Sequence, residues 1–117
     1  MKLPALEQAY VPEAKLVKYL LNLYHPGGGE DKARFFMSFG FTIEQWEVLA
    51  QSLLAHASAN EVVSTMETVQ GVNFAIDGSL DAPDGRRPFV RAVWTLDTGS
   101  SAPRFVTAYP VRSGGNS

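Results

Sequence analysis

The chain has 117 residues, no cysteine, a hydrophobic fraction of 45% and a formal net charge of −2. That length is one domain, able to bury roughly two-thirds of the surface its unfolded chain exposes. Disulfides and thiolate metal sites are excluded, a reducing compartment is permitted, and no chain-wide basic excess points to nucleic acid. The opening stretch "MKLPALEQAYVPEAK" lacks the apolar core of a signal peptide. No apolar run approaches the roughly 20 residues that span a bilayer. The expected location is therefore the cytoplasm, with no membrane partner.

The first element predicted is a helix over Glu13–Tyr24. Pro12 sits as its first residue, where a missing N–H costs nothing. Leu16, Leu20, Leu23 and Val17, Leu21, Tyr24 form a broad apolar face, and Lys15, Lys18 and Asn22 form the polar stripe. His25-Pro26-Gly27-Gly28-Gly29 ends it. A short second helix is expected from about Glu30 to Phe39, with Glu30 and Asp31 complementing its dipole and Gly40 ending it. Thr42-Ile43-Glu44-Gln45 reads as a capping box, with Phe41 and Trp46 spaced for a hydrophobic staple. The third helix buries Trp46, Leu49, Leu53 and Ala57 and ends near Ser58 to Asn60.

After Asn60 the period changes to two. "EVVSTMET" and "VNFAIDG" read as strands joined at Gln70-Gly71; "FVRAVWTL" and "RFVTAYPV" are the last two. "DAPDGRRP" and "DTGSSAP" are the connecting loops. The fold class expected is α+β: about three N-terminal helices packed on a C-terminal four-stranded antiparallel sheet. Residues 1–111 form the domain and 112–117 a flexible tail. One sheet face packs on the helices and the other is at least partly open to solvent.

Charge is unevenly placed. No lysine or arginine lies between Arg34 and Arg86, but seven acids do; from Arg86 onward there are five arginines and one acid, Asp97. An anion-binding face is one consequence and ordinary solvated charge the other. The glycine run does not form a nucleotide loop, because it follows a helix and Lys32 precedes alanine. His25, at a helix end beside that run, suits a general acid or base, or simply a favourable interaction with the helix dipole. His56 borders an apolar stripe, which favours the second role. Two separated histidines without cysteine make no zinc set, and Asp77, Asp81 and Asp84 lack calcium-loop spacing and suit turns instead. No metal and no cofactor are expected.

The last two strands carry the densest polar chemistry. Val90, Ala92, Trp94 and Leu96 share one face, and Phe89, Arg91, Val93 and Thr95 the other. Strict alternation groups Phe105 with Thr107 and Tyr109. One pairing of faces places Arg91, Thr95, Thr107 and Tyr109 together, a cation with three hydroxyls suited to a phosphate; the alternative is an amphipathic face whose hydroxyls merely suit strands.

The segments "YLLNLYHPGGGEDKARFFMSFGF", "QWEVLAQSLLAHA", "DGRRPFVRAVW" and "PRFVTAYP" resemble an uncharacterised family of short bacterial proteins common in cyanobacteria, from about Leu3 to Val111. That resemblance implies no particular activity. More distantly the chain is similar to the barnase–EndoU–colicin–RelE group of metal-independent ribonuclease toxins, which also place helices before a small antiparallel sheet. This second resemblance implies RNA as substrate and a site drawn from Lys15, His25, Lys32, Arg91, Thr107 and Tyr109. His25 or Lys32 would move protons and Arg91 would stabilise charge on the phosphorane. The alternative is a non-catalytic interaction module, an antitoxin or immunity-type partner of a neighbouring gene product.

Overall fold

The computed structural model describes residues 1–23 and 30–112. A single 3-10 turn, Leu6–Gln8, leads to α1 (Glu13–Lys15), which runs into a π-helical segment, Leu16–Leu20. α2 (Glu30–Met37) and α3 (Trp46–Ala59) follow. The strands β1 (Val62–Thr68), β2 (Gly71–Ser79), β3 (Phe89–Asp97) and β4 (Arg104–Pro110) form one antiparallel meander in the order β1-β2-β3-β4. This is the α+β arrangement expected from a helical period giving way to a period of two. Tyr10 adds a short parallel contact at the β4 edge: its N–H donates to the Pro103 carbonyl and its carbonyl accepts from Phe105, both at 3.0 Å. His25, the glycine run and the tail 113–117 lie outside the described residues.

The core sits between the helices and one face of the sheet. Phe74, Ile76, Val90, Ala92, Trp94, Phe105 and Ala108 are buried from the sheet side, and Leu16, Leu20, Leu21, Phe36, Phe41, Leu49 and Leu53 from the other. Trp94 and Phe105 meet edge to face with ring centroids 5.6 Å apart, a geometry the ring quadrupoles favour.

The first helix departs from its expected form. Only its first turn is α-helical, and Pro12 caps it from an extended backbone (ψ 133°) instead of standing inside it. The Leu21 N–H then donates to the Leu16 carbonyl at 2.8 Å, five residues back. That wider turn accommodates one more residue than an α-turn. It brings Leu16, Leu20 and Leu21 into the core together, each fully buried.

The joint between α2 and α3 follows its sequence signals more closely. α2 stops at Met37, two residues before the expected end. Gly40, at φ +102°, takes the left-handed position that glycine tolerates, and the Phe41 N–H reaches the Phe36 carbonyl at 3.4 Å. The Thr42 hydroxyl accepts from the Gln45 N–H at 3.2 Å, which closes the turn leading into α3 instead of capping the helix itself. α3 begins at Trp46 after that turn, and among the described residues the reciprocal bond from the Gln45 side chain is not formed.

His56 belongs to the frame. It is 2% exposed, and its Nε2 lies 3.2 Å from the carbonyl oxygens of both Gly78 and Val90. Two acceptors there require the N–H on Nε2, which leaves Nδ1 bare, and Nδ1 has no partner among the described residues. The ring thus ties α3 to β2 and β3. Gly78 makes room beside it, because a Cβ there would collide with the Asn60 side chain, which itself donates to the His56 carbonyl at 2.9 Å.

Burial holds the His56 pKa below its ordinary value of 6.5, against the carbonyl hydrogen bonds, which favour the charged ring. The unfolded chain therefore binds a proton more readily than the folded one. Stability should be intact above about pH 6.5 and should fall as pH drops from there toward the lowered folded-state pKa. Thermal melts of His56→Gln should show that slope flattened relative to the parent. Removal of the Thr42 hydrogen bond by Thr42→Ala should cost about 1 kcal/mol in urea unfolding.

Candidate functional site

Strict alternation along β4 is broken at one place. Val93 pairs with Thr107, yet Trp94 pairs with Phe105, so Val106 is an extra residue, a β-bulge. This corrects the grouping of Phe105 with Thr107 and Tyr109. Phe105 turns into the core and is fully buried, while Thr107 and Tyr109 lie on the other face, opposite Val93 and Arg91.

On that solvent-side face, α2 delivers Lys32 to the β4 edge. The Lys32 ammonium donates to the Tyr19 hydroxyl at 2.8 Å and to the Thr107 hydroxyl at 3.2 Å. It also lies 5.2 Å from the ring centroid of Tyr19 and 5.7 Å from that of Tyr109, within cation–π range. Among the described residues no carboxylate pairs with it. Tyr19 arrives from the π-helical segment. The Lys32 hydrogen bond holds its phenol below the usual tyrosine range, with Thr107 helping and burial opposing.

Arg91 stands on the neighbouring strand, directly across from Tyr109. Its Nε and Nη2 donate to the two carboxylate oxygens of Asp77 at 2.7 and 2.9 Å. This planar, two-point pair orients the guanidinium, raises its pKa further, chiefly through Asp77 with Tyr109 adding, and offsets its charge. Asp77, whose spacing with Asp81 and Asp84 suggested a turn, sits toward the end of β2 as the register partner of Arg91. The other acid–arginine pairs are local, within the loop of residues 80–88 or across the β3–β4 connection. Asp81 pairs with Arg87, Asp84 with Arg86 and Asp97 with Arg104. Folding thus sets the acidic middle against the basic end, and the arginines do not form a bare anion-binding face.

The predicted residues Lys32, Arg91, Thr107 and Tyr109 therefore share one surface, with Tyr109 touching both cations. Thr95 is on the same face but further along, only 6% exposed, with its hydroxyl 3.4 Å from the Val72 carbonyl. Lys15 lies beside Thr95 and Arg104 in a depression on that side. His25 is outside the described residues. Sequence reasoning missed Tyr19 and Asp77. Tyr19 was assigned to neither the apolar face nor the polar stripe of the expected regular helix. The Asp77–Arg91 pairing depends on a register that the loop of residues 80–88 does not fix.

An α+β domain with helices ahead of a four-stranded antiparallel meander, and with a lysine, an arginine and three hydroxyls on its outer face, is the class of molecule these observations define. A family model described as "Domain of unknown function (DUF6883)" matches residues 2–112, and the chain belongs to that family. Among solved structures the chain is similar to one in the "Contact-dependent growth inhibition toxin - immunity protein complex from Klebsiella pneumoniae 342". The TM-score is 0.69 at 15% identity, covering 93% of this chain and 98% of that one, a likeness of fold. No curated protein matches the sequence. Among the described residues, no helix is long and apolar enough to cross a membrane, and no cluster of three potential metal ligands occurs.

The Tyr19 phenol should titrate below the ordinary tyrosine pKa of 10.0 in a phenolate absorbance titration. Lys32→Met removes the donor and the nearby charge and should return that phenol toward its ordinary pKa of 10.0, since burial is then opposed only by the weaker Thr107 bond and the Lys15 charge.

Proposed function

We propose that the chain is a small metal-independent ribonuclease of the toxin kind. The observation that carries this reading is the cluster of Lys32, Tyr19, Thr107, Tyr109 and Arg91 on the outer sheet face. It combines one cation without a carboxylate partner among the described residues, a second cation held in plane, and a phenol with lowered pKa. The fold likeness to a chain of a toxin–immunity complex supports the same reading at the level of architecture only.

In this reading an RNA 2′-oxygen attacks the adjacent phosphorus and its proton passes to a base. The P–O5′ bond breaks and the 5′-oxygen takes a proton from an acid, leaving a 2′,3′-cyclic phosphate and a 5′-hydroxyl. Lys32 and Arg91 would stabilise the charge on the non-bridging oxygens. Asp77 positions Arg91 without touching substrate. His25, a few residues ahead of α2, is proposed as one proton carrier; Tyr19 or Lys32 would be the other.

A second reading, a non-catalytic partner of the antitoxin or immunity type, is favoured by β1. That edge strand is exposed over nearly its whole length, and Val63, Met66 and Val69 project into solvent along it and the following turn, at 53%, 64% and 98% exposure. Unpaired strand edges accept strands from other proteins.

Mixed RNA incubated with the protein in EDTA should yield fragments ending in cyclic phosphate. Lys32→Ala and Arg91→Ala should each lower the rate by about a hundredfold or more while the melting temperature moves little. Absence of cleavage at high protein concentration, together with a stable complex with a neighbouring gene product, would favour the second reading.

A further inference from the structure

Beside Arg91 the outer sheet face sinks into a shallow cavity of about 220 Å³. Arg91 and Tyr109 form one side, Met66 and Val93 are apolar walls, and Ala75 leaves the floor low. Asn73 and Ser64 supply the polar edge. Small-molecule sites start near 300 Å³, so this cavity is undersized for a free metabolite and suits one planar group of a longer chain.

Asn73 is the unusual residue. Asparagine is depleted in strands, because its amide competes with the ladder and adds little packing. Here it occupies β2, paired on both sides, opposite Met66 and Thr95. Its side-chain amide has no hydrogen-bond partner among the described residues, and neither has the Ser64 hydroxyl. A side-chain amide offers a donor and an acceptor side by side, the pattern that reads the edge of a nucleobase. Asn73 also borders the next depression, which holds Lys15, Thr95 and Arg104. Basic side chains thus lie on both sides of Asn73 along the sheet face, Arg91 and Arg104 each oriented by an aspartate and Lys15 beside them, a spacing that suits the phosphates of a single strand.

We infer that this cavity receives one unpaired RNA base, with its edge read by Asn73, its face against Tyr109, and its neighbouring phosphate at Arg91 and Lys32. This deepens the ribonuclease reading and rests on it for the choice of RNA. Asn73 is then a specificity-determining residue, and the protein cuts next to a preferred base instead of at random.

The test uses the four homodinucleotides carrying 2′-O-methyl groups, which bind but cannot be cleaved, titrated into 15N-labelled protein. The Asn73 side-chain amide should shift with one base, or one pair of bases, at concentrations about tenfold lower than with the others. Followed through the backbone amides of Ala75, Val93 and Tyr109, which line the same cavity, Asn73→Ala should erase that base preference without changing the melting temperature. On cleavable mixed RNA the cuts that the same variant makes should fall without the parent's site preference. Equal shifts for all four bases, or shifts that bypass Asn73, would overturn the inference even if EDTA-resistant cleavage is found. Base-selective shifts at Asn73 with no cleavage by the parent protein would uphold the pocket and sink the ribonuclease reading instead.

Discussion

One extra residue in β4 sets the arrangement on which both faces of the sheet depend. Phe105 must reach the core to meet Trp94, and burying such a side chain contributes roughly 1.5–3 kcal/mol. Thr107 and Tyr109 must face outward to meet Lys32 and Arg91. In an unbroken strand Phe105, Thr107 and Tyr109 share a face, so one demand would defeat the other. The bulge at Val106 shifts the phase by one residue between them and satisfies both. Bulges concentrate beside functional sites for this reason: they re-aim side chains while the ladder continues.

A second phase shift lies opposite the first. The π-helical turn at Leu16–Leu20 lets three leucines reach the core. It also leaves Tyr19 directed at Lys32, whose ammonium bridges it to Thr107 across the β4 edge. The cluster is therefore assembled from two irregularities, one in a helix and one in a strand, each stabilised by the apolar side chains it delivers inward. Its polar members are held by hydrogen bonds to one another, with the ammonium as the common donor.

Charge pairing separates the cations by role. Arg91 and Arg104 each face an aspartate across or along the sheet, so each is oriented and partly neutralised. Lys32 is surrounded by hydroxyls and aromatic rings, which leave its charge uncompensated by any described carboxylate. An incoming phosphate would gain most from Lys32 and would find Arg91 already in plane. His56, by contrast, is withdrawn from proton chemistry by burial and by its two carbonyl partners. Within the cluster, the Lys32 hydrogen bond holds the Tyr19 phenol below its ordinary pKa.

The sequence by itself determined the elements and the class of fold. The shift from a helical period to a period of two, Gly40 after α2, the Thr42 turn and the alternation in β3 are local signals, each set by backbone sterics or by which side of an element is apolar. Lys32, Arg91, Thr107 and Tyr109 were legible as polar residues worth gathering; His56 was read only as a helix-end residue meeting the dipole, whereas folding buries it against two strand carbonyls. Only the tertiary structure decided the register of β2 on β3, which puts Asp77 against Arg91, because a nine-residue loop leaves that register open. Only it decided the bulge at Val106 and the π-turn that frees Tyr19, because both arise where core packing outweighs local regularity. A period read from sequence cannot show a break in that period when the side chains demanding it come from another element.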